Sequence, residues 1–293
     1  MMLSKHPVNG PDRPTRRVNS RIMIRGMLDL IRWFSLSGMA LLALVSLRLA
    51  GHSPSSAWSI YFVSGIIVVA AAGYVWNDYL DYRIDAINKP SRPLVQGLIS
   101  LRFARTIAIL LGAIGLVLYV QLGIFFFLYS LFVVVVLAFY SRALKDRHGV
   151  IGNLAVALLL ASIPLTVGAK HGWTLPLAVL AGVTFCLGFA HEVMKDAEDV
   201  PGDRRGGRKT LATHYSRLAL EGAISTSLAF TLAIGLVPLA LGSAQSKLLV
   251  IPETMLVASF VFWKFGGMRD AVFRHLLKLN AFAYVIAYFI AGG

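Results

Sequence analysis

Long apolar runs return so often in this chain that they leave little choice of architecture. Nine segments qualify as spanning helices: residues 27–49, 57–78, 103–122, 124–141, 151–170, 173–195, 217–242, 247–266 and 274–292. A helix needs about 20 mostly apolar residues to cross a bilayer core, where it satisfies its own backbone hydrogen bonds. The 293 residues are 57% hydrophobic and 14% charged, whereas soluble domains run near ~25% charged. The expectation is an all-α polytopic membrane protein, nine transmembrane helices in one membrane domain covering 27–293. Residues 1–26 are basic and lack the apolar stretch of a secretory signal, and Pro7, Gly10, Pro11 and Pro14 oppose a long helix there. They read as a disordered cytoplasmic tail.

The net charge of +14 raises the question of nucleic acid, and the placement of the charges answers it. With the N-terminus inside, the inner loops and their flanking helix ends hold 24 of the 28 Lys and Arg residues. Arg32 lies about one turn inside the first span, and Arg48, Lys170 and Lys247 fall elsewhere. That is the positive-inside bias of a multi-pass protein. It leaves basic charge for anionic lipid headgroups or an anionic substrate, and no nucleic acid is expected. The single cysteine, Cys186, falls within an apolar segment and reads as a packing residue.

Acidic residues are scarce and clustered. Of fourteen, six form two triplets with one spacing: Asp78, Asp81 and Asp85, then Asp196, Asp199 and Asp203. Positions i, i+3 and i+7 share one helix face. Both triplets close an apolar run on the expected cytoplasmic side, 118 residues apart, so they can face each other across one pocket. Prolines 90 and 93 follow the first triplet and force a turn that presents Asn88, Lys89 and Arg92. A glycine-rich, basic stretch with Arg204, Arg205, Arg208 and Lys209 follows the second. The fourth segment ends in Tyr140 to Lys145, adding a third inner loop with a cation.

Six carboxylates in one site repel each other unless cations neutralise them. Mg2+ suits them, because it takes one or two carboxylates together with phosphate oxygens and water. Arg and Lys nearby clamp phosphate oxygens, and the apolar helices offer a channel for a hydrocarbon tail. An isoprenyl diphosphate has all three features. Asn77 is a candidate for metal or diphosphate contact. Arg32, costly within an apolar span, defaults to a functional reading. Glu192 is placed to line a cavity, while His191, without a second histidine at ligand spacing, reads as a packed residue.

The pattern Asn77-Asp78-x-x-Asp81-x-x-x-Asp85 with Asp196-x-x-Asp199-x-x-x-Asp203 resembles the two aspartate motifs of the UbiA superfamily of intramembrane prenyltransferases. The resemblance extends to Asn88-Lys-Pro-Ser-Arg92-Pro, to Tyr140-Ser with Lys145, and to Gly202-Asp203 ahead of Thr210-Leu211-Ala212. It implies helices around a central cavity with cytoplasmic cap loops. It also implies Mg2+ on the six aspartates, a diphosphate between them, and capture of an allylic cation by a lipophilic acceptor. Asp81, Asp85, Asp199, Lys145 and Tyr140 would then be catalytic, and Asn77, Arg92, Arg32, Lys195, Lys209 and Glu192 would bind substrate. Tyr82 stands where the hydroxybenzoate enzymes of the family usually have Arg. The run around Lys195 to Asp203 looks closer to the geranylgeranylglycerol-phosphate geranylgeranyltransferases and the chlorophyll synthase-like branch. The acceptor stays open between a glycerol-phosphate lipid and an aromatic ring. A terpene cyclase that ionises the same diphosphate, and a cation-coupled transporter with acids along a route through the bilayer, are the competing readings.

Overall fold

The computed structural model describes residues 20–139, 149–242 and 244–291. Within them every regular element is a helix, in the order α1 Ser20–Ile31, α2 Trp33–Leu49, α3 Ala57–Leu80, α4 Tyr82–Asn88, α5 Leu101–Val120, α6 Ile124–Phe139 and α7 Gly149–His171. There follow α8 Leu175–Gly206, α9 Leu211–His214, α10 Arg217–Gly235, α11 Val237–Ala240, a 3-10 segment Ala244–Leu249, α12 Val250–Phe265 and α13 Asp270–Ala291. Hydroxyl side chains start five of the helices. Ser56, Ser100, Thr174, Thr210 and Ser216 each accept the N–H three residues on, which satisfies donors that the helix itself leaves open.

A helix occupies each of the nine predicted segments, and the described residues do not confirm nine independent spans. Six helices are long and apolar enough to cross a membrane, or seven if the bent pair α1–α2 is one span. The apolar α6 has only 16 residues, and α13 carries Asp270, Arg274 and Lys278 in its first half. The first predicted span is also not continuous. It bends by 49° between α1 and α2, and α1 begins at Ser20, within the segment assigned to the tail.

The long α8 is the axis of the bundle, packed against α2, α4, α7, α9, α10 and α13. Leu180, Val183, Leu187, Ala190, Val193 and Met194 bury one side of it in the main apolar cluster. Across the bundle, α3 and α5 approach closely because glycines remove the side chains between them. A Cβ at Gly115 would stand 2.4 Å from Val69 Cγ2, and one at Gly65 would stand 2.6 Å from the Tyr119 ring. Small residues at such contacts let helix backbones meet where lipid gives no hydrophobic drive. A second, smaller cluster of Leu30, Val75, Leu94, Ile99, Ala104 and Ala108 ties α1 and the turn after α4 to α3 and α5.

Two local departures place the acidic triplets. The predicted second span runs on to Leu80 and then breaks at Asp81, which joins α3 to α4. The predicted sixth span was to end at 195, with a loop from 196 to 216. Instead α8 continues through the second triplet and Pro201 to Gly206, stopped by Gly207 at φ 71°. Proline in a helix removes one N–H from the ladder. Next to it the Asn88 side chain joins the backbone, accepting from Gly202 N at 2.7 Å and donating to the Asp199 carbonyl at 2.7 Å. A Cβ at 202 would meet Asn88 at 2.6 Å, so this position needs glycine.

Candidate active site

Both triplets converge on one buried polar layer. Asp78, Asp81, Asp85, Asp196, Asp199 and Asp203 are each 7% exposed or less. Buried carboxylates require partners, and here most of them are basic. Arg32 donates to Asp78 at 2.7 Å. Arg92 reaches Asp78 and also donates to Asp85 at 2.6 Å. Lys89 holds both oxygens of Asp199, at 2.6 and 2.5 Å. Arg208 connects the two motifs, pairing with Asp81 and lying 3.4 Å from Asp203. Two amides complete the layer: Asn77 donates to Asp81 at 3.1 Å, and Asn153 donates to Asp196 at 2.8 Å.

The local chain explains these reaches. Arg32 sits at the α1–α2 bend with φ 55° and ψ 54° and is the one non-glycine with positive φ among the described residues. That conformation is sterically costly for an arginine. It turns the side chain inward, where the guanidinium lies 4.6 Å over the Tyr74 ring and meets Asp78. The turn after α4 carries Lys89 and Arg92 back over the carboxylates. Burial pushes Asp85 up to about 6 against the pull of Arg92, with Asp81 and Asp78 adding to the rise. Burial likewise holds the Lys89 ammonium below its ordinary value, partly offset by Asp199.

Next to this layer lies a cavity of about 420 Å³. Its mouth is formed by Arg32, Asn77, Lys89, Arg92, Glu192 and Lys195, with Arg274 and Lys278 on α13. Its depth is apolar, walled by side chains such as Leu42, Ile66, Val69, Ile163 and Val183. The cations form the wall, and the aspartates stand one layer behind them. Lys195 donates to Glu192 at 2.8 Å, and Arg274 donates to Glu198 at 2.6 Å.

Of the predicted site residues, the structure thus brings together the six aspartates, Asn77, Arg32 and Arg92, and it lines the cavity with Glu192 and Lys195. Tyr140 and Lys145 lie outside the described residues. Lys209 is exposed, with its carbonyl accepting from Gly149 N at 3.0 Å. Its neighbour Arg208 is the residue that turns inward. Sequence reasoning took the basic stretch as one group and so missed Arg208. It also missed Asn153, a lone amide on an apolar helix, whose polarity at a buried position was the available signal. Lys278 and Arg274 were read only as inner-side charge.

A divalent cation fits this donor set in chemistry. Six buried carboxylates supply only hard oxygen ligands, as Mg2+ requires. Among the described residues no three acids converge at metal-binding spacing, because each is drawn toward the cation or amide that holds it.

Comparison with known proteins identifies the family. The family model described as "UbiA prenyltransferase family" matches residues 39–284. The digeranylgeranylglyceryl phosphate synthase of Thermococcus kodakarensis is 32% identical over 252 residues, covering 84% of this chain and 90% of the relative. That of Sulfolobus acidocaldarius is 35% identical over 195 residues, covering 64% of this chain and 69% of the relative. Among solved structures, one described as digeranylgeranylglyceryl phosphate synthase in membranes aligns with a TM-score of 0.70 at 23% identity, over 92% of this chain and 99% of its own. A UbiA homologue from Archaeoglobus fulgidus, bound to GPP and Mg2+, aligns with a TM-score of 0.66 at 15% identity, over 91% and 99%. At those identities the likeness is one of fold, while the family match and the Thermococcus relative speak for the chain itself. This multi-span membrane protein belongs to the UbiA prenyltransferase family.

Proposed function

We propose that the chain transfers a prenyl group from an isoprenyl diphosphate to the hydroxyl of a glycerol-phosphate lipid, in the membrane and with Mg2+. The observation that carries this is the joining of two aspartate triplets through Arg208 beside a cavity with a cationic mouth and an apolar depth. The named relatives support the lipid acceptor over an aromatic one.

In this reading Asp78, Asp81, Asp85, Asp196, Asp199 and Asp203 hold Mg2+, which when bound neutralises the diphosphate and stabilises the charge left as the C1–O bond breaks. Arg32, Lys89 and Arg92 exchange their carboxylates for phosphate oxygens, aided by Asn77 and Lys195. Once on the phosphate oxygens these donors are in place before the C1–O bond breaks, so little further reorganisation opposes that step. Arg208, buried between the motifs, keeps the two halves in register. The apolar wall takes the prenyl chain and keeps water from the allylic cation. Tyr140 and Lys145 are kept as catalytic candidates on the resemblance alone. The bias of Lys and Arg supports a cytoplasmic N-terminus and active site.

The test uses protein in lipid nanodiscs with Mg2+, labelled geranylgeranyl diphosphate and a panel of glycerol-phosphate, hydroxybenzoate and naphthoate acceptors. A lipid adduct formed with diphosphate release supports the reading. Adduct only with an aromatic acceptor would move the substrate class, and a cyclised product without acceptor would make the protein a cyclase. No diphosphate release with any prenyl length would refute it.

A further inference from the structure

Six basic side chains reach the cavity mouth: Arg32, Lys89, Arg92, Lys195, Arg274 and Lys278. Five are paired with an acid: Arg32 with Asp78, Arg92 with Asp78 and Asp85, Lys89 with Asp199, Lys195 with Glu192, and Arg274 with Glu198. Lys278 differs. Among the described residues no carboxylate pairs with it. Its ammonium donates to Ser35 Oγ at 2.8 Å and lies 4.6 Å from the centre of the Phe34 ring. The charged groups acting on it, Arg274 and Arg32, are both cations.

A half-buried ammonium whose partners are one hydroxyl and one ring face has exchanged part of its water for weak partners. Two further cations beside it raise that cost. Such a group lowers its free energy when an anion enters the cavity. The diphosphate of the donor is already matched by the aspartate layer and by the cations that layer holds. Lys278 stands on the wall where α13 meets α2, next to Arg32, and among the described residues it takes no carboxylate of that layer as its partner.

We propose that Lys278, with Ser35, seats a second anion: the phosphomonoester headgroup of the acceptor lipid. Lysine offers three N–H donors as a compact charge, and the Ser35 hydroxyl, which can donate while it accepts from the ammonium, adds a fourth. The headgroup would thereby lie against α2 and α13, with Arg32 between it and Asp78. This rests on the prenyl-transfer reading for its substrate.

Two acceptors test it, a long-chain glycerol ether carrying a phosphomonoester and the same ether with a free hydroxyl. With Mg2+ and saturating prenyl diphosphate, Lys278→Met should cut the preference for the phosphorylated ether, as a kcat/KM ratio, at least tenfold. Ser35→Ala should cut it two- to threefold, and Lys278→Arg should restore part of the loss. A rise in KM for the prenyl diphosphate in place of that change would assign Lys278 to the donor and overturn the proposal, as would an unchanged ratio. A binding arm stands independently of turnover. Full-length protein is loaded with Mg2+ and an unreactive thio-diphosphate analogue, and the two ethers and inorganic phosphate are titrated in. Tighter binding of the phosphorylated ether, lost in Lys278→Met, supports the seat even if neither ether is prenylated, in which case the functional reading alone fails. Equal binding of both ethers, or inorganic phosphate binding as well as the phosphorylated lipid, overturns it.

Discussion

The two aspartate motifs have one spacing and two different settings. In the first, the chain breaks at Asp81 and turns back after α4, so that Asp78, Asp81 and Asp85 meet arginines from three separate places, Arg32, Arg92 and Arg208. In the second, the three aspartates stand on the unbroken α8. Lys89 meets Asp199, Arg208 reaches Asp203, and Asp196 has the neutral amide of Asn153. The first cluster is held by permanent, forked charges. The second meets a lysine, an amide and a longer arginine contact among the described residues. Equal spacing in sequence therefore does not mean equal electrostatics.

The largest expected effect asks whether the clusters share one ligand. If they do, Asp81→Ala and Asp199→Ala should each lower Mg2+-dependent diphosphate release by about 100-fold to 1,000-fold, the usual cost of removing one preorganised electrostatic contact. Release retained in Asp199→Ala but lost in Asp81→Ala would leave the second cluster a structural one and break the equivalence.

Next comes the residue that joins the clusters. Arg208→Met removes the buried positive charge that Asp81 and Asp203 share. Breaking such a pair costs about 3–5 kcal/mol, which denaturant unfolding in detergent will read. Arg92→Met should cost less, because Arg32 still holds Asp78. Added Mg2+ should recover part of the Arg208→Met loss. Equal stability of the two variants would show that the link through Arg208 is dispensable.

How much of this was legible beforehand divides along the same line. Apolar runs, charge bias and the two triplets are set by local sequence, and they marked the long apolar helices, the membrane setting and all six aspartates. The partners depend on how the chain comes back on itself. Arg208 and Lys209 are indistinguishable in a basic run until Gly207 turns the backbone, after which one is buried and the other exposed. Asn153 faces Asp196 only because α7 packs on α8. The α1–α2 bend has no proline or glycine at its hinge to announce it. A tertiary pull on Arg32 from Asp78 and Tyr74 accounts for it.

A smaller effect concerns pH. Asp85 keeps its proton in the folded, metal-free protein up to about pH 6, while an ordinary aspartate loses it near 3.8. The folded state thus binds more protons than the unfolded one between those values, and the Asp85 contribution to stability falls as pH rises through that window. A metal ion must displace the same proton below about 6. The thermal shift produced by Mg2+ should accordingly be larger at pH 7.5 than at pH 5.5. Asp85→Asn should flatten that difference. A Mg2+ shift independent of pH would place Asp85 outside the metal set and make the first cluster a pair.

The smallest effect contrasts the held acids with one that is not held. Glu253 is buried on α12, and neither of its carboxylate oxygens has a hydrogen-bond partner among the described residues. It fits only because residue 235 is glycine, where a Cβ would stand 1.8 Å from Oε1. Its neighbour Tyr284, also without a hydrogen-bond partner at its hydroxyl, lines the deep end of the cavity. An unsatisfied buried polar group costs about 1–3 kcal/mol. Glu253→Leu should therefore stabilise the protein by about 1 kcal/mol, part of the gain going to the altered packing. In the aspartate layer, replacing an acid removes a partner from a buried cation and should destabilise. If Glu253→Leu also destabilises, then the carboxyl is matched by the Tyr284 hydroxyl in the working protein, and the deep end of the cavity has a polar floor that an apolar chain must stop short of.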